Sequence, residues 1–203
     1  MSVRLGFIGA GFIAQQCHLP AFESTAGATF QAISDLHLDL GKKIAEKYGF
    51  HKSYNSHQQL LNDTEIDAVV VTLPRSLTAG VVEECLKAKK HVFTEKPLAL
   101  NAARAEFLEE LSVTQEKILQ VGYMKHFDRG YKVFLEQERE RRMRGKIPIL
   151  IKASCFMGNS YAGPFGDFKS TNPSRLEISE VEGWPTWLSS SEVVGYENYL
   201  NVY

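Results

Sequence analysis

Gly9-Ala10-Gly11-Phe12-Ile13-Ala14 reads G-x-G-x-x-A, a spacing that brings main-chain amides against a diphosphate. Gly9 lets the chain turn sharply out of a strand. Gly11 has no Cβ, so a pyrophosphate can come close to the backbone, and Ala14 is small enough for the next helix to pack on that strand. The amides of the first helical turn, around Phe12 and Ile13, then face the phosphates, where the helix dipole favours negative charge. A strand-like run, Val3–Ile8, leads in, and helix-competent sequence leads out from Ile13, which is the context the motif requires. A plain tight turn before a helix is the bland alternative. Asp35 closes the second strand-like run. A carboxylate there accepts hydrogen bonds from ribose hydroxyls and repels a 2′-phosphate, and Leu36, His37 and Leu38 after it include no Arg or Lys. This favours NAD over NADP. A helix-cap or loop position is the alternative for Asp35.

These residues need a scaffold, and the alternation of patterns supplies one. β-rich runs occur at Val3–Ile8, Thr29–Ser34, Ala68–Leu73, His91–Thr94 and Ile118–Val121. Helical spacing lies between them. Ser56 and Gln59 form a capping-box pair, Ser76 starts a helix with Val81, Val82, Cys85 and Leu86 on one face, and Asn101 caps another with Ala105, Leu108 and Leu111 in register. Strand and helix alternating at this pace read as βαβ units around a parallel sheet. The fold class expected is α/β, a Rossmann-type doubly wound sheet over residues 1–122. The run Ala68–Leu73 has no polar residue until Thr72, as in a central strand covered on both faces. After Gly122 the texture changes. A helix is expected from about Asp128 to Arg144, with Glu138–Arg142 as an i,i+4 pair; its charge-rich second half is a solvated face or an interaction surface. Ile147–Phe156 reads as a strand and Gly158–Ser174 as a long loop. Ser189 and Glu192 make a second capping box, with Val193, Tyr196, Leu200 and Tyr203 following at helical spacing. That helix stops in mid-course, which suggests a truncated chain.

Four further segments in order resemble one family. His91-Val92-Phe93-Thr94-Glu95-Lys96-Pro97-Leu98-Ala99 resembles the E-K-P hallmark of the glucose–fructose oxidoreductase, inositol dehydrogenase and rhizopine catabolism oxidoreductase family. Val71-Thr72-Leu73-Pro74-Arg75-Ser76 resembles its T-P-N segment, with Arg75 where Asn is usual. His18-Leu19-Pro20-Ala21-Phe22 resembles its H-x-P-A segment, and Val121-Gly122-Tyr123-Met124-Lys125-His126-Phe127-Asp128 resembles its entry into a second domain, with His126 in place of Arg. The resemblance covers residues 3–131. It implies that Lys96 lies beside the nicotinamide and contacts the substrate oxygen that gains or loses a proton, and that Thr72, Pro74 and Glu95 line the cofactor site. A lysine desolvated against the cofactor suits that general acid–base task. Lys125 resembles a basic substrate-site residue, with a solvated helix-start lysine as the alternative. Pro97 makes Lys96–Pro97 a candidate cis peptide. Thr78 stands where the family often has His. His18 reads as a packing or hydrogen-bonding residue rather than a catalyst.

The implied activity is NAD(P)-dependent hydride transfer to or from a sugar, cyclitol or related polyol. An NAD-binding protein without turnover, or an NAD-assisted redox-neutral reaction such as glycoside cleavage, are the competing readings. Residues 123–203 are expected to be the incomplete start of an α+β substrate domain. The family's D-x-x-x-H helix then falls at the C-terminus, with Asn201 at the Asp position and the His beyond Tyr203. A chain ending there is expected to be inactive alone, and the full-length form to be a homo-oligomer. Trp184, Pro185, Trp187 and Tyr196 are then left partly uncovered.

Composition adds exclusions. Lys plus Arg total 23 against 24 Asp plus Glu, a net charge of -1, so nothing electrostatic points to nucleic acid or an anionic membrane. Cys17, Cys85 and Cys155 form no C-x-x-C, and His51, His57 and His91 show no ligand spacing, so neither a disulfide framework nor a metal is expected. No apolar run approaches the ~20 residues of a membrane span, and a cytoplasmic protein is the expectation.

Overall fold

The computed structural model describes residues 2–152. They fall into two compact units, one ending at Gly122 and the other beginning at Tyr123. In the first, six strands form one parallel sheet: β1 (Val3–Ile8), β2 (Ala28–Ser34), β3 (Lys52–Tyr54), β4 (Ala68–Val71), β5 (His91–Thr94) and β6 (Leu119–Val121). Their spatial order is β3-β2-β1-β4-β5-β6. The chain runs outward from β1 to β3, then returns to start again at β4, so a topological switch point lies between β1 and β4. In open α/β sheets the crevice at the carboxyl ends of the strands at such a point is where ligands bind.

The sheet is buried because its central strands are apolar on both faces. In β4, Val69 and Val71 enter one core with Ile8, Leu86, Val92 and Leu108. Val70 enters the opposite core with Phe7, Leu19, Ile33, Ile44 and Phe50. Alternate residues of a strand point to opposite faces, so an unbroken apolar run is what two cores require. Full burial of each such side chain contributes roughly 1.5–3 kcal/mol relative to exposure. The helices of this unit are α1 (Leu19–Glu23), α2 (Leu38–Tyr48), α3 (His57–Leu61), α4 (Arg75–Lys87) and α5 (Ala102–Thr114).

Several expected boundaries move. The run from Ala68 leaves the strand at Val71, and Thr72–Pro74 become a loop. Helix α4 opens at Arg75 with Pro74 as its N-cap residue, not at Ser76. Ser56 caps α3 by accepting from Gln59 N–H at 3.3 Å, and Asn101 caps α5 by accepting from Arg104 N–H at 2.8 Å, both as the sequence predicts. The short edge strand β3 was not legible, since Lys-Ser-Tyr has no apolar alternation to betray it.

In the second unit a 3₁₀ turn, Met124–Phe127, precedes α6 (Arg129–Met143), which Asp128 caps by accepting from Tyr131 N–H at 3.1 Å. The Glu138–Arg142 pair is present at 3.8 Å, but Glu138 is buried, with its side chain 9% exposed, so the expected solvated face does not extend to this residue. The strand expected over Ile147–Phe156 is absent from its described part: 147–152 form no strand, and Ile149 and Leu150 stand exposed. A β-run needs a neighbour to pair with, and no strand among the described residues of this unit offers one. Phe156, the loop Gly158–Ser174, Trp184, Pro185, Trp187 and the capped segment from Ser189 to Tyr203, including Asn201, lie outside the described residues.

Candidate functional site

Five chain segments meet at the carboxyl edge of the sheet. Gly9–Ile13 leave β1, Asp35 leaves β2, Thr72–Pro74 leave β4, Glu95–Pro97 leave β5 and Gly122 follows β6. Parallel pairing puts these exits side by side. Ile8 lies opposite Ser34 on one side and Val71 on the other, Val71 lies opposite Thr94, and Thr94 opposite Val121.

The glycine turn is braced from both neighbours. Gly9 has φ +95°, and a Cβ there would collide with the Thr72 carbonyl oxygen, so the position admits only glycine. Gly9 N–H donates to Ser34 O at 2.8 Å, and Thr72 Oγ1 donates to Gly9 O at 2.8 Å. Asp35 clamps the same turn: one carboxylate oxygen accepts from Ala10 N–H and the other from His37 N–H, both at 2.8 Å. A carboxylate has about four acceptor positions, so two remain for ribose hydroxyls. Gln15, itself buried, donates through Nε2 to Ala10 O at 2.7 Å. Sequence spacing singled out Asp35 and the family resemblance Thr72, but neither gave these bracing bonds, nor the part Gln15 plays.

The space over the turn is open. A Cβ on Gly11 would meet nothing within 4 Å, so the missing side chain leaves a cradle open to the outside rather than room for protein. Gln15 N–H closes the first helical bond onto Gly11 O at 3.1 Å, which leaves the amides of Phe12 and Ile13 in the turn whose donors a helix cannot satisfy itself. Both residues are half-buried, as an anion site at the mouth of a fold requires.

At the end of β5, the Lys96–Pro97 peptide is cis, as expected. Lys96 is half-buried. Glu95 accepts from Lys96 N–H at 3.0 Å through one oxygen and meets His18 Nε2 at 2.8 Å through the other. Burial alone would raise the Glu95 carboxyl, but the His18 bond and charge, the Lys96 amide and the Lys96 charge outweigh it and leave the group below its ordinary value. His18 also stacks edge-on against Phe93, with ring centroids 5.3 Å apart. Its packing and hydrogen-bonding role is therefore as expected, but its partner, 77 residues away, could not be read from sequence. Pro74 starts α4 beside this edge, and Thr78, buried, donates to Pro74 O at 3.2 Å, where the resembled family often has His. Gly9, Gly11, Phe12, Ile13, Asp35, Thr72, Pro74, Glu95 and Lys96 thus belong to one sheet edge in the first unit. Lys125 belongs to the 3₁₀ turn of the second.

A family model described as an oxidoreductase family with an NAD-binding Rossmann fold matches residues 3–123. Myo-inositol 2-dehydrogenase of Thermotoga maritima is 37% identical over 148 residues, 73% of this chain and 44% of that protein. Inositol 2-dehydrogenase 2 of Paenarthrobacter aurescens is 32% identical over 200 residues, 95% of this chain and 57% of its own length. Among solved structures, KijD10, a 3-ketoreductase from Actinomadura kijaniata in complex with NADP, superposes with a TM-score of 0.65 at 29% identity, covering 69% of this chain and 44% of that one. The chain spans about half the length of the curated relatives it matches. Among the described residues no helix is long and apolar enough to cross a membrane. With a glycine turn braced from β2 and β4 at this sheet edge, and a family model matched over residues 3–123, this chain belongs to the oxidoreductase family with the NAD-binding Rossmann fold.

Proposed function

We propose that this chain is the cofactor-binding part of a nicotinamide-dependent dehydrogenase acting on a carbinol carbon of a cyclitol, sugar or related polyol. The observation that carries the reading is the cradle at Gly11, open above a turn that Asp35, Ser34 and Thr72 hold rigid. When bound, the cofactor supplies the hydride acceptor. The chain's own residues do the rest. Phe12 and Ile13 amides grip the diphosphate, Asp35 takes the ribose hydroxyls, and Lys96 handles the proton of the carbinol oxygen as the C–H hydride departs, a service worth about 10²–10⁴-fold in rate. Pro74 and Glu95 line the nicotinamide end. The cyclitol preference rests on inositol dehydrogenases of two organisms among the relatives. NAD is favoured over NADP because the Asp35 charge repels a 2′-phosphate, even though the structural relative KijD10 holds NADP. Residues 123–203 begin a substrate domain in which Lys125 meets the substrate, the complete protein is a homo-oligomer, and unpaired Cys17 and Cys85 suit a reducing cytoplasm.

Titration of the 203-residue chain with NAD and NADP tests the cofactor assignment. NAD is expected to bind more tightly, and Gly11→Val to weaken it at least tenfold with the melting temperature unchanged. Equal NAD affinity in Gly11→Val and wild type would remove the diphosphate from this turn. For the proton, Lys96→Ala in a longer form that carries a full substrate domain is expected to lower hydride transfer from a cyclitol panel by about 10²-fold or more while NAD affinity holds; undiminished turnover assigns the task elsewhere.

A further inference from the structure

The helix that follows the glycine turn is irregular at one place. Ala14–His18 form a π-helical turn, closed by Leu19 N–H donating back to Ala14 O, before α1 continues as an ordinary helix. Such turns are uncommon and concentrate at functional sites, because the extra residue re-aims a side chain. His18 is the last residue of this turn. One end of the turn is tied to the glycine loop through buried Gln15 and the Ala10 carbonyl, at 2.7 Å. The other end is tied to the segment after β5 through His18 Nε2 and Glu95 Oε1, at 2.8 Å.

Glu95 has little room to choose another position. Oε2 holds the Lys96 amide at 3.0 Å. A Cβ on Gly122 would already lie 3.7 Å from Oε1 and 3.3 Å from Phe93 Cζ, and Phe93 carries the His18 ring. The His18 and Glu95 side chains are only 13% and 21% exposed, so water competes weakly for their bond. An ionised carboxylate can only accept, which puts the proton of that bond on Nε2.

We propose that His18 is a positioning residue for the nicotinamide end of the site: acting through Glu95, it fixes the main chain at Lys96. This rests on the cofactor reading above and deepens it. The diphosphate and adenosine ribose depend on the glycine turn and Asp35, neither of which His18 touches. Loss of the His18–Glu95 bond therefore penalises only ligands that reach the nicotinamide end.

The test compares ADP-ribose, which lacks nicotinamide, with NADH, both titrated into the 203-residue chain. His18→Leu keeps an apolar contact for Phe93 and removes the donor. It is expected to leave ADP-ribose affinity within about twofold of wild type and to weaken NADH roughly five- to tenfold, the scale of one charge-assisted hydrogen bond acting at second hand. His18→Gln, whose amide offers a donor at similar reach, is expected to restore most of the NADH affinity, a rescue that a purely packing role does not give. In a Glu95→Ala background, His18→Leu is expected to add no further loss. Unchanged NADH affinity in His18→Leu, equal losses for both ligands, or full additivity with Glu95→Ala would each overturn the proposal. If His18→Leu does not fold, His18→Met, which also fills the apolar space and lacks the donor, carries the same comparison, and matching NADH and ADP-ribose losses in it overturn the proposal. A wild-type chain that binds neither ligand overturns the cofactor reading itself and this inference with it, a result distinct from any of the preceding ones.

Discussion

At Gly9 an added methyl group would enter the space of the Thr72 carbonyl while the backbone sits at φ +95°; at Gly11 the same methyl meets nothing within 4 Å. Two glycines of one motif therefore answer to different constraints, one folding and one binding. Gly9→Ala is expected to destabilise the unit by about 1–3 kcal/mol for the backbone strain alone, with the collision adding to it, and to lower the melting temperature visibly in calorimetry. Gly11→Ala is expected to melt like wild type. Equal melting of both variants would show that the turn relaxes around Gly9 and that the brace from β4 is slack. Asp35 carries a second residue-scale prediction. Asn in its place keeps one carbonyl oxygen for Ala10 or His37 but cannot accept from both, and it has no charge to oppose a 2′-phosphate. Asp35→Asn is expected to weaken NAD and to narrow the NAD-to-NADP affinity ratio by about tenfold; a ratio unmoved in paired titrations would detach cofactor choice from this carboxylate.

Elements show what a sequence reveals and what it hides. Strands β1, β2, β4, β5 and β6 were legible because each is a short β-rich run set between stretches of helical spacing. Asn101 and Ser56 were legible because capping is local, decided within three residues. Contacts across the fold were not. Lys87, Lys89 and Lys90 look equivalent in sequence, yet Lys90 is buried, with Nζ donating to Asp63 O at 3.0 Å and Ile66 O at 2.7 Å. It pins the loop before β4 to the turn before β5, at the edge of the sheet opposite the glycine turn. Burial pulls its ammonium below the ordinary value, against the pull of Asp63 and Asp67. The same blindness hid the His18–Glu95 bond: the family resemblance marked Glu95-Lys96, but nothing within reach of either residue along the chain named His18. For Lys90→Met the stem remains and the donors vanish. Two carbonyls lose partners, at about 1–3 kcal/mol each where water cannot replace them. The expected loss is about 2 kcal/mol or more in urea unfolding, with NAD affinity per folded molecule unaltered. A neutral result would mean that water reaches both carbonyls.

Across the first unit as a whole, carboxylates are held below their ordinary values by partners from distant elements, and this sets how the fold responds to acid. Asp67 is the clearest case. Its oxygens receive Arg4 Nη2 at 2.7 Å, Arg4 Nε at 3.0 Å and Arg4 N–H at 2.9 Å, tying the entry of β1 to that of β4, and the Arg4 guanidinium holds the carboxyl down to about 2. Glu83 is lowered by the Lys87 bond and, against burial, by Arg104, which joins α4 to α5. For Asp63, burial is overcome by the Glu65 amide, Lys52 and Tyr54, which bind the β3 edge to the loop before β4. Each group has a folded pKa below its unfolded one. Its contribution is therefore complete above the unfolded value, near 4, and is lost as pH falls through the folded value. Stability is expected to be flat from about pH 7 to about pH 5 and to fall steeply from about pH 4 to about pH 2. Asp67→Asn separates one member from the sum. It lowers the melting temperature at neutral pH by removing the charge that Arg4 faces, flattens the acid limb, and converges on wild type as pH falls below about 2, where the wild-type carboxyl takes up its proton. Thermal melts of both proteins across that range decide the matter. Parallel curves, with the variant lower by a constant amount down to about pH 2, would mean that the pair stabilises by geometry alone and that the acid limb belongs to the other carboxylates.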